Sequence, residues 1–191
     1  VLLDAGYTVR GSVRDLRRAD GVRAALAAAG CDVSRFEVVA LDLLSDAGWA
    51  AAAEGCDHLQ HVASPFVIRM PKDRGDLVRP AVEGTRRAVS AALAAGARRL
   101  VVTSSIAAVV YGNTARTRPF NEADWTDLDV PGVTAYTESP TRAEREAWSL
   151  AEAAGARDRL AVINPGAVLG PLLDDDVGTS GDLGRRLLAG A

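Results

Sequence analysis

The stretch Leu100-Val101-Val102-Thr103-Ser104-Ser105 joins an apolar run to two serines. Apolar residues at consecutive positions indicate a strand that is buried on both faces, as in the interior of a parallel sheet. Helical patterns lie on either side of it, at 77–95 and in a segment that includes 143–153. Because strands alternate with helices along the chain, the sequence predicts an α/β fold with a parallel sheet.

The alternation continues in both directions from this strand. Further strands are predicted at 7–13, 36–41, 58–63 and 160–164, and further helices at 17–29 and 49–54. Pro80 is expected in the first turn of its helix, where a proline is tolerated, and a loop is predicted at 119–132. Residues 1–6 read as the end of a helix, and the pattern at 187–191 is amphipathic. We therefore expect a chain that is truncated at both ends.

Composition narrows the class of protein. The chain has 191 residues, 48% of them hydrophobic, and a formal net charge of −3. This charge argues against a nucleic-acid partner, and the absence of an apolar run of 18 residues or more argues against a membrane span. Its two cysteines, Cys31 and Cys56, lack metal-ligand spacing. We expect a cytoplasmic protein without a metal site.

Polar or turn residues follow each predicted strand. They are Arg14, Asp42, Ser64, Ser105 and the Pro165-Gly166 pair. In an open parallel sheet, ligands bind at the carboxyl ends of the strands, so this order predicts a dinucleotide site. Arg14 suits the 2′-phosphate of NADP, with Arg17 and Arg18 adding charge, whereas NAD would favour an acidic residue. An arginine there can equally be solvated, and Asp42 can equally cap a helix.

The segment Tyr136-Thr137-Glu138-Ser139-Pro140-Thr141-Arg142-Ala143-Glu144-Arg145-Glu146-Ala147-Trp148 begins 31 residues after Ser105. It resembles the active-site helix of the extended short-chain dehydrogenase/reductases, in the branch that holds dihydroflavonol, cinnamoyl-CoA and aldehyde or ketone reductases. That branch reads Tyr-x-x-Ser-Lys-x-x-Ala-Glu-x-x-Ala-Trp. Every marked position matches except the lysine, which is Pro140 here.

Shorter motifs of the same branch occur along the chain. The matches are Val13-Arg14-Asp15, Asp42-Leu43, His61-Val62-Ala63-Ser64-Pro65, Thr103-Ser104-Ser105, the Glu-x-x-Trp element at 122–125 and Asn-Pro-Gly-x-Val-x-Gly-Pro at 164–171. The resemblance implies that the backbone at 61–65 faces the cofactor while the His61 ring packs in the protein. It does not decide whether Trp125 forms a wall of the substrate pocket or only packs in the protein.

The resemblance implies a Rossmann-like doubly wound parallel sheet that lacks its first strand, the Gly-rich loop and most of the C-terminal substrate-binding region. Residues 1–170 would be a partial NAD(P)-binding domain, and 171–191 the start of the substrate-binding region. The implied reaction is the NADP-dependent reduction of an aldehyde or ketone, a small-molecule carbonyl substrate. Relatives are often homodimers through helices that would include 77–95 and 143–153.

By resemblance, the catalytic residues are Ser105, which holds the carbonyl, and Tyr136, which protonates it. The implied cofactor-binding residues are Arg14, Asp42, Leu43, Val62, Ala63, Ser64, Tyr136, Pro165, Gly166 and Val168.

Pro140 changes what is expected of the tyrosine. A phenol ordinarily has a pKa of about 10, and a lysine four residues on lies on the same helical face and lowers it. Pro140 supplies no ammonium and disfavours a continuous helix. We expect the helix to restart at a capping box from Thr141 to Glu144, which would leave Tyr136 in a loop. Arg142 lies about 240° around an ideal helix from Tyr136, away from its face.

Two alternatives to a working carbonyl reductase remain open. A sugar-nucleotide epimerase or dehydratase shares the Thr-Ser-Ser and tyrosine elements, although it lacks the Glu-x-x-Trp and Ala-Glu-x-x-Ala-Trp pairing. A non-catalytic protein that keeps the scaffold for binding would explain Pro140.

Overall fold

The computed structural model describes residues 1–65, 70–112, 117–168, 170, 181, 184–186 and 188–190. The chain divides into two compact units. The first comprises Val1–Gly48 together with Ala167–Ala191, and the second comprises Trp49–Gly166. Each unit is described by itself below.

Residues 9–40 of the first unit form two parallel strands with a helix between them in the chain. The strands are β1 (Val9–Val13) and β2 (Phe36–Ala40), and the helix is α1 (Ala19–Ala28). The register pairs Val9 with Phe36 and Val13 with Ala40. A short 3-10 turn at Leu16–Arg18 precedes α1, because the Asp15 carboxylate accepts a hydrogen bond from the Arg17 amide and caps it.

The second unit contains a three-stranded parallel sheet and three helices. The strands are β3 (His58–His61), β4 (Arg99–Thr103) and β5 (Leu160–Ile163), in the order β3-β4-β5. The helices are α2 (Trp49–Ala53), α3 (Gly75–Ala94) and α4 (Ala135–Ala153). The strand at 99–103 is therefore central in its sheet, as the apolar run in the sequence indicates.

The core of the second unit lies between its sheet and helices α3 and α4. Leu100 and Val102 of β4 pack with Val89 of α3 and with Ala147 and Ala151 of α4, all of them buried. Small alanine side chains at a spacing of four residues let the helix approach its neighbours closely. Burial of these apolar side chains is the main force that fixes α4 against the sheet.

The structure confirms the α/β class with parallel strands, and it corrects two helix predictions. Pro80 is the sixth residue of α3, in its second turn and not its first. The active-site helix begins at Ala135 and runs through Pro140 without restarting at Thr141. Residues 1–6 form turns with the pattern of a helix end, as expected: the Tyr7 amide donates to the Leu2 carbonyl, the Gly6 amide donates to the Leu3 carbonyl, and Gly6 has a φ of 90°. The proposed boundary at residue 170 stays a prediction.

Across the residues that the structure describes, none of the helices combines the length and the apolar character that a membrane crossing requires.

Candidate active site

In the first unit, the ends of β1 and β2 bring Arg14 and Asp42 to the same edge of their sheet. The Leu41 amide donates to the Val13 carbonyl at 3.0 Å, so the two strands leave the sheet side by side. Arg14 is exposed. The Asp42 carboxylate accepts a hydrogen bond from the Leu44 amide at 2.8 Å, which fixes a turn after β2. Leu43 lies in this turn and is half-buried.

Arg17, one of the two arginines near Arg14, already has an acidic partner. Arg17 donates from Nε to the Asp15 carboxylate at 2.7 Å, and this contact holds the pKa of Asp15 below its usual range. The Asp15 carboxylate therefore largely compensates the positive charge of Arg17. Within the described ranges, no carboxylate pairs with Arg14, so its guanidinium is open to an anionic ligand.

In the second unit, the carboxyl ends of three strands again meet at one edge. Val62-Ala63-Ser64 follows β3 and is exposed. The Ser104 amide donates to the Ile163 carbonyl at 2.8 Å, and the Ile106 amide donates to the Pro165 carbonyl at 2.9 Å. These bonds place Ser105 directly beside the Asn164-Pro165 turn, as the strand-end argument predicts.

The Ser105 hydroxyl accepts one hydrogen bond from the backbone. Its Oγ accepts from the Ala107 amide at 3.1 Å and caps a 3-10 turn at Ile106–Ala108. A hydroxyl has one donor besides its acceptor lone pairs. The Oγ proton of Ser105 can therefore be donated to the carbonyl oxygen of a bound molecule.

Asn164 ties the serine to the active-site helix. Its Nδ2 donates to the Ser105 carbonyl at 3.1 Å and to Oε2 of Glu144 at 2.7 Å. Glu144 is only 7% exposed, and its other carboxylate oxygen accepts from the Trp148 indole at 3.3 Å. One amide thus fixes β4, β5 and α4 together. The sequence did not indicate this role, although Asn164 and Glu144 both lie in motifs of the reductase branch.

Tyr136 is the second residue of α4 and is half-buried, not part of a loop. The helix starts here because Thr134 and Thr137 form a reciprocal cap, in which each side chain bonds to the other's backbone amide. Thr141 is buried inside the helix and donates its hydroxyl to the Thr137 carbonyl at 2.7 Å. The expected capping role of Thr141 is therefore wrong.

Arg142 does not serve Tyr136 as a replacement for the lysine. Its Nε donates to the Glu138 carboxylate at 2.6 Å, one helical turn back along the chain. This agrees with the interpretation that Arg142 lies off the face of the tyrosine.

Several features fit a bound dinucleotide. Ser104 Oγ is buried, and among the described side chains it lacks a hydrogen-bond partner. Such an atom is costly unless a ligand or water satisfies it. A Cβ placed on Gly166 would meet open space, so the turn after β5 leaves room beside its backbone. Val168 is exposed and belongs to the first unit. In the second unit, Ser104 and Gly166 therefore leave a polar atom and open space for a ligand. In the first unit, the exposed Arg14 suits an anionic group.

The His61 ring is a packing group in this structure. It is buried, and its Nε2 lies 3.2 Å from the hydroxyl of Thr85 on α3. Burial lowers the pKa of His61 from 6.5 to about 4. The ring is therefore neutral at physiological pH.

Trp125 lines a cleft of about 520 Å³ beside the outer face of α4. The Arg145 guanidinium lies 5.2 Å from its ring centroid, and Arg157 lies 4.7 Å from that of Trp148. Asn164 also borders this cleft, but Ser105 and Tyr136 are not among the described residues that line it. Trp125 thus packs under an arginine at the edge of a cleft adjacent to the Ser105 region.

Comparison with known proteins identifies the family of this chain. The sequence model of the NAD dependent epimerase/dehydratase family matches residues 1–187. Cinnamoyl-CoA reductase 2 of Arabidopsis thaliana is 35% identical over 191 residues, covering 94% of this chain and 53% of that protein. A putative anthocyanidin reductase of Ginkgo biloba is 34% identical over 197 residues, covering 99% of this chain and 56% of that protein.

Among solved structures, the chain is similar to yeast methylglyoxal/isovaleraldehyde reductase Gre2 complexed with NADPH. The TM-score is 0.81 at 28% identity, covering 98% of this chain and 60% of that one. The similarity confirms the predicted Rossmann-like fold. This chain therefore spans between 53% and 60% of the length of these relatives.

Proposed function

This chain belongs to the NAD dependent epimerase/dehydratase family, and we propose that its protein is an NADPH-dependent reductase of aldehydes or ketones. The observation that carries the proposal is the Ser105 hydroxyl, which has a proton to donate at the end of β4. Asn164 holds this serine to the helix that carries Tyr136. Relatives named as reductases and a neighbour solved with NADPH support the same activity.

The residues divide into two roles. Ser105 donates a hydrogen bond to the substrate carbonyl oxygen and polarises it, and the Tyr136 phenol gives that oxygen its proton. When bound, NADPH supplies the hydride. Arg14 would bind the 2′-phosphate, and Asp42 and Leu43 would hold the adenine. The backbone of Val62, Ala63 and Ser64 would bind the phosphates, and Pro165, Gly166 and Val168 would hold the nicotinamide.

Pro140 limits this chemistry. A lysine there would supply an ammonium to the tyrosine and a hydrogen bond to the cofactor ribose, and proline supplies neither. General acid catalysis is worth about 10²- to 10⁴-fold. We therefore expect turnover far below that of a reductase with lysine at this position.

Cofactor titration tests the assignment directly. The full chain is titrated with NADPH and with NADH while tryptophan fluorescence is followed. Replacing Arg14 by Ala should weaken NADPH binding by about 10- to 100-fold, because a charge-assisted hydrogen bond contributes about 1.5–3 kcal/mol. NADH binding should not change. Arg17→Ala is the matched control, since Arg17 already pairs with Asp15.

Equal affinity for NADPH and NADH in the unchanged chain would contradict the cofactor assignment. So would an Arg14→Ala chain that binds NADPH as before.

Pro140 also favours a second function, a cofactor-binding protein without catalysis. Saturable NADPH binding without NADPH oxidation over a panel of aldehydes would support it. A third assignment, a sugar-nucleotide epimerase or dehydratase, is compatible with the family description. It predicts saturable UDP-sugar binding, whereas the reductase assignment predicts carbonyl reduction without such binding.

A further inference from the structure

The first turn of α4 carries Tyr136 and is held from within by the cap between Thr134 and Thr137. The first four amides of any helix have no partner within it. The hydrogen bond from residue 140 to the Tyr136 carbonyl is also absent, because Pro140 has no N–H to donate. With that bond absent, contacts made from outside this turn contribute to the position of Tyr136.

Arg74, the residue that precedes α3, makes such contacts on both sides of Tyr136. Its Nη1 donates to the Val133 carbonyl at 3.1 Å, three residues before the tyrosine. Its Nε donates to Oε2 of Glu138 at 2.9 Å, two residues after the tyrosine. One planar guanidinium thus holds the segment at two points, a geometry that the rigid fork of an arginine provides and a lysine does not.

Two further contacts join the same turn to its surroundings. The buried Ser139 hydroxyl donates to the Leu77 carbonyl of α3 at 3.4 Å. Glu138 accepts from Arg142 as well as Arg74, and its carboxylate lies near the helix N-terminus, where negative charge is favourable. Although burial alone raises the pKa of Glu138, the hydrogen bonds from both arginines lower it overall. The carboxylate therefore stays ionised at neutral pH.

We propose that Arg74 is a positioning residue for Tyr136, because its bonds to Val133 and Glu138 hold the turn that Pro140 has weakened. The proposal rests on the proposed function, in which Tyr136 is the proton donor. Arg74 itself touches neither substrate nor cofactor in this scheme. It acts through the backbone and the Glu138 side chain.

The test follows the tyrosine itself and needs no activity. The chain has three tyrosines, so incorporation of 3-fluorotyrosine gives three fluorine resonances, and Tyr136→Phe identifies the one of interest. Spectra are compared for the full chain, Arg74→Ala and Arg74→Lys. Arg79→Ala is the matched control, because Arg79 is a similarly exposed arginine of α3 that pairs with Glu83.

We expect Arg74→Ala to shift or broaden the Tyr136 resonance and to leave those of Tyr7 and Tyr111 unchanged. Arg74→Lys should displace the resonance by less, since a lysine keeps the charge but not the fork. Arg79→Ala should leave all three resonances in place. A Tyr136 resonance that is the same in Arg74→Ala and in the unchanged chain would overturn the proposal.

Glu138→Gln is the second variant, in case Arg74→Ala does not fold. It keeps the size of the side chain and removes its charge, so it should displace the Tyr136 resonance in the same direction. An unchanged resonance in this variant would also overturn the proposal. The outcome is separable from the proposed function: a displaced resonance without any effect on NADPH oxidation would refute the role of Tyr136 and leave the positioning intact.

Discussion

Helices α3 and α4 each contain a proline near the N-terminus. Pro140 is the sixth residue of α4, and Pro80 is the sixth residue of α3. A proline inside a helix costs up to about 3 kcal/mol relative to alanine. Near the N-terminus the cost is smaller, because one hydrogen bond of about 1 kcal/mol is missing. Replacing proline by alanine also makes the unfolded chain more flexible, which reduces the gain in stability by about 0.4–1 kcal/mol.

The net gain is smaller than the helix cost, so we expect Pro140→Ala to raise the free energy of unfolding by at most about 2 kcal/mol. For a chain of this size, that corresponds to a rise in Tm of at most about 8 °C. Thermal unfolding followed by circular dichroism measures the change. Hydrogen exchange should show that the new amide at position 140 is protected, because it donates to the Tyr136 carbonyl.

Pro80→Ala is the matched control for this measurement. It restores the equivalent bond in α3, to the Asp76 carbonyl, at a distance along the chain from the tyrosine. The two variants should gain similar stability. A gain for Pro80→Ala with a loss for Pro140→Ala would refute the reasoning, because it would mean that the ring of Pro140 stabilises the turn through its own packing.

Three other perturbations have defined outcomes. Burial lowers the pKa of His61 to about 4, so as the pH drops the unfolded state binds a proton before the folded state does. The free energy of unfolding should therefore fall by up to about 3 kcal/mol between pH 6.5 and pH 4. Urea unfolding of His61→Leu should show a smaller loss over that range. Gly11→Ala places a Cβ 2.8 Å from the Phe36 ring and should cost about 1–3 kcal/mol in urea unfolding, whereas Gly21→Ala, which meets open space, should not destabilise. Asn164→Asp sets an acceptor against the Glu144 carboxylate and should lower Tm by several degrees, while a Tm equal to that of the unchanged chain would show that the bridge is unimportant.

The spacing of apolar residues and the polar residues at strand ends made much of the fold predictable. The strand at 100–104 was expected from its apolar run, and it lies at 99–103 with its neighbours parallel on both sides. Ser105 and the Pro165-Gly166 turn were expected at one edge, and backbone bonds join them there. These features depend on local patterns, which a single sequence displays directly.

The start of α4 was not predictable in the same way. Local rules placed a helix start after Pro140, yet the cap at Thr134 and Thr137, together with burial of the alanine stripe against the sheet, extends the helix through it. Contacts such as Arg74 with Glu138 join residues 64 apart in the chain. Long-range contacts of this kind outweigh local propensity and leave no periodic signal in the sequence.

In the proposed function, Ser105 and Tyr136 form a reductase site whose activity Pro140 limits. The most direct measurement is the rate of NADPH oxidation with isovaleraldehyde by the full chain, by Pro140→Lys and by Pro140→Lys combined with Tyr136→Phe. We expect the rate of Pro140→Lys to exceed that of the unchanged chain by about 10²-fold or more, and we expect the added Tyr136→Phe to abolish this gain. A Pro140→Lys chain no faster than the unchanged one, or one that keeps its rate without the tyrosine, would contradict the proposed function.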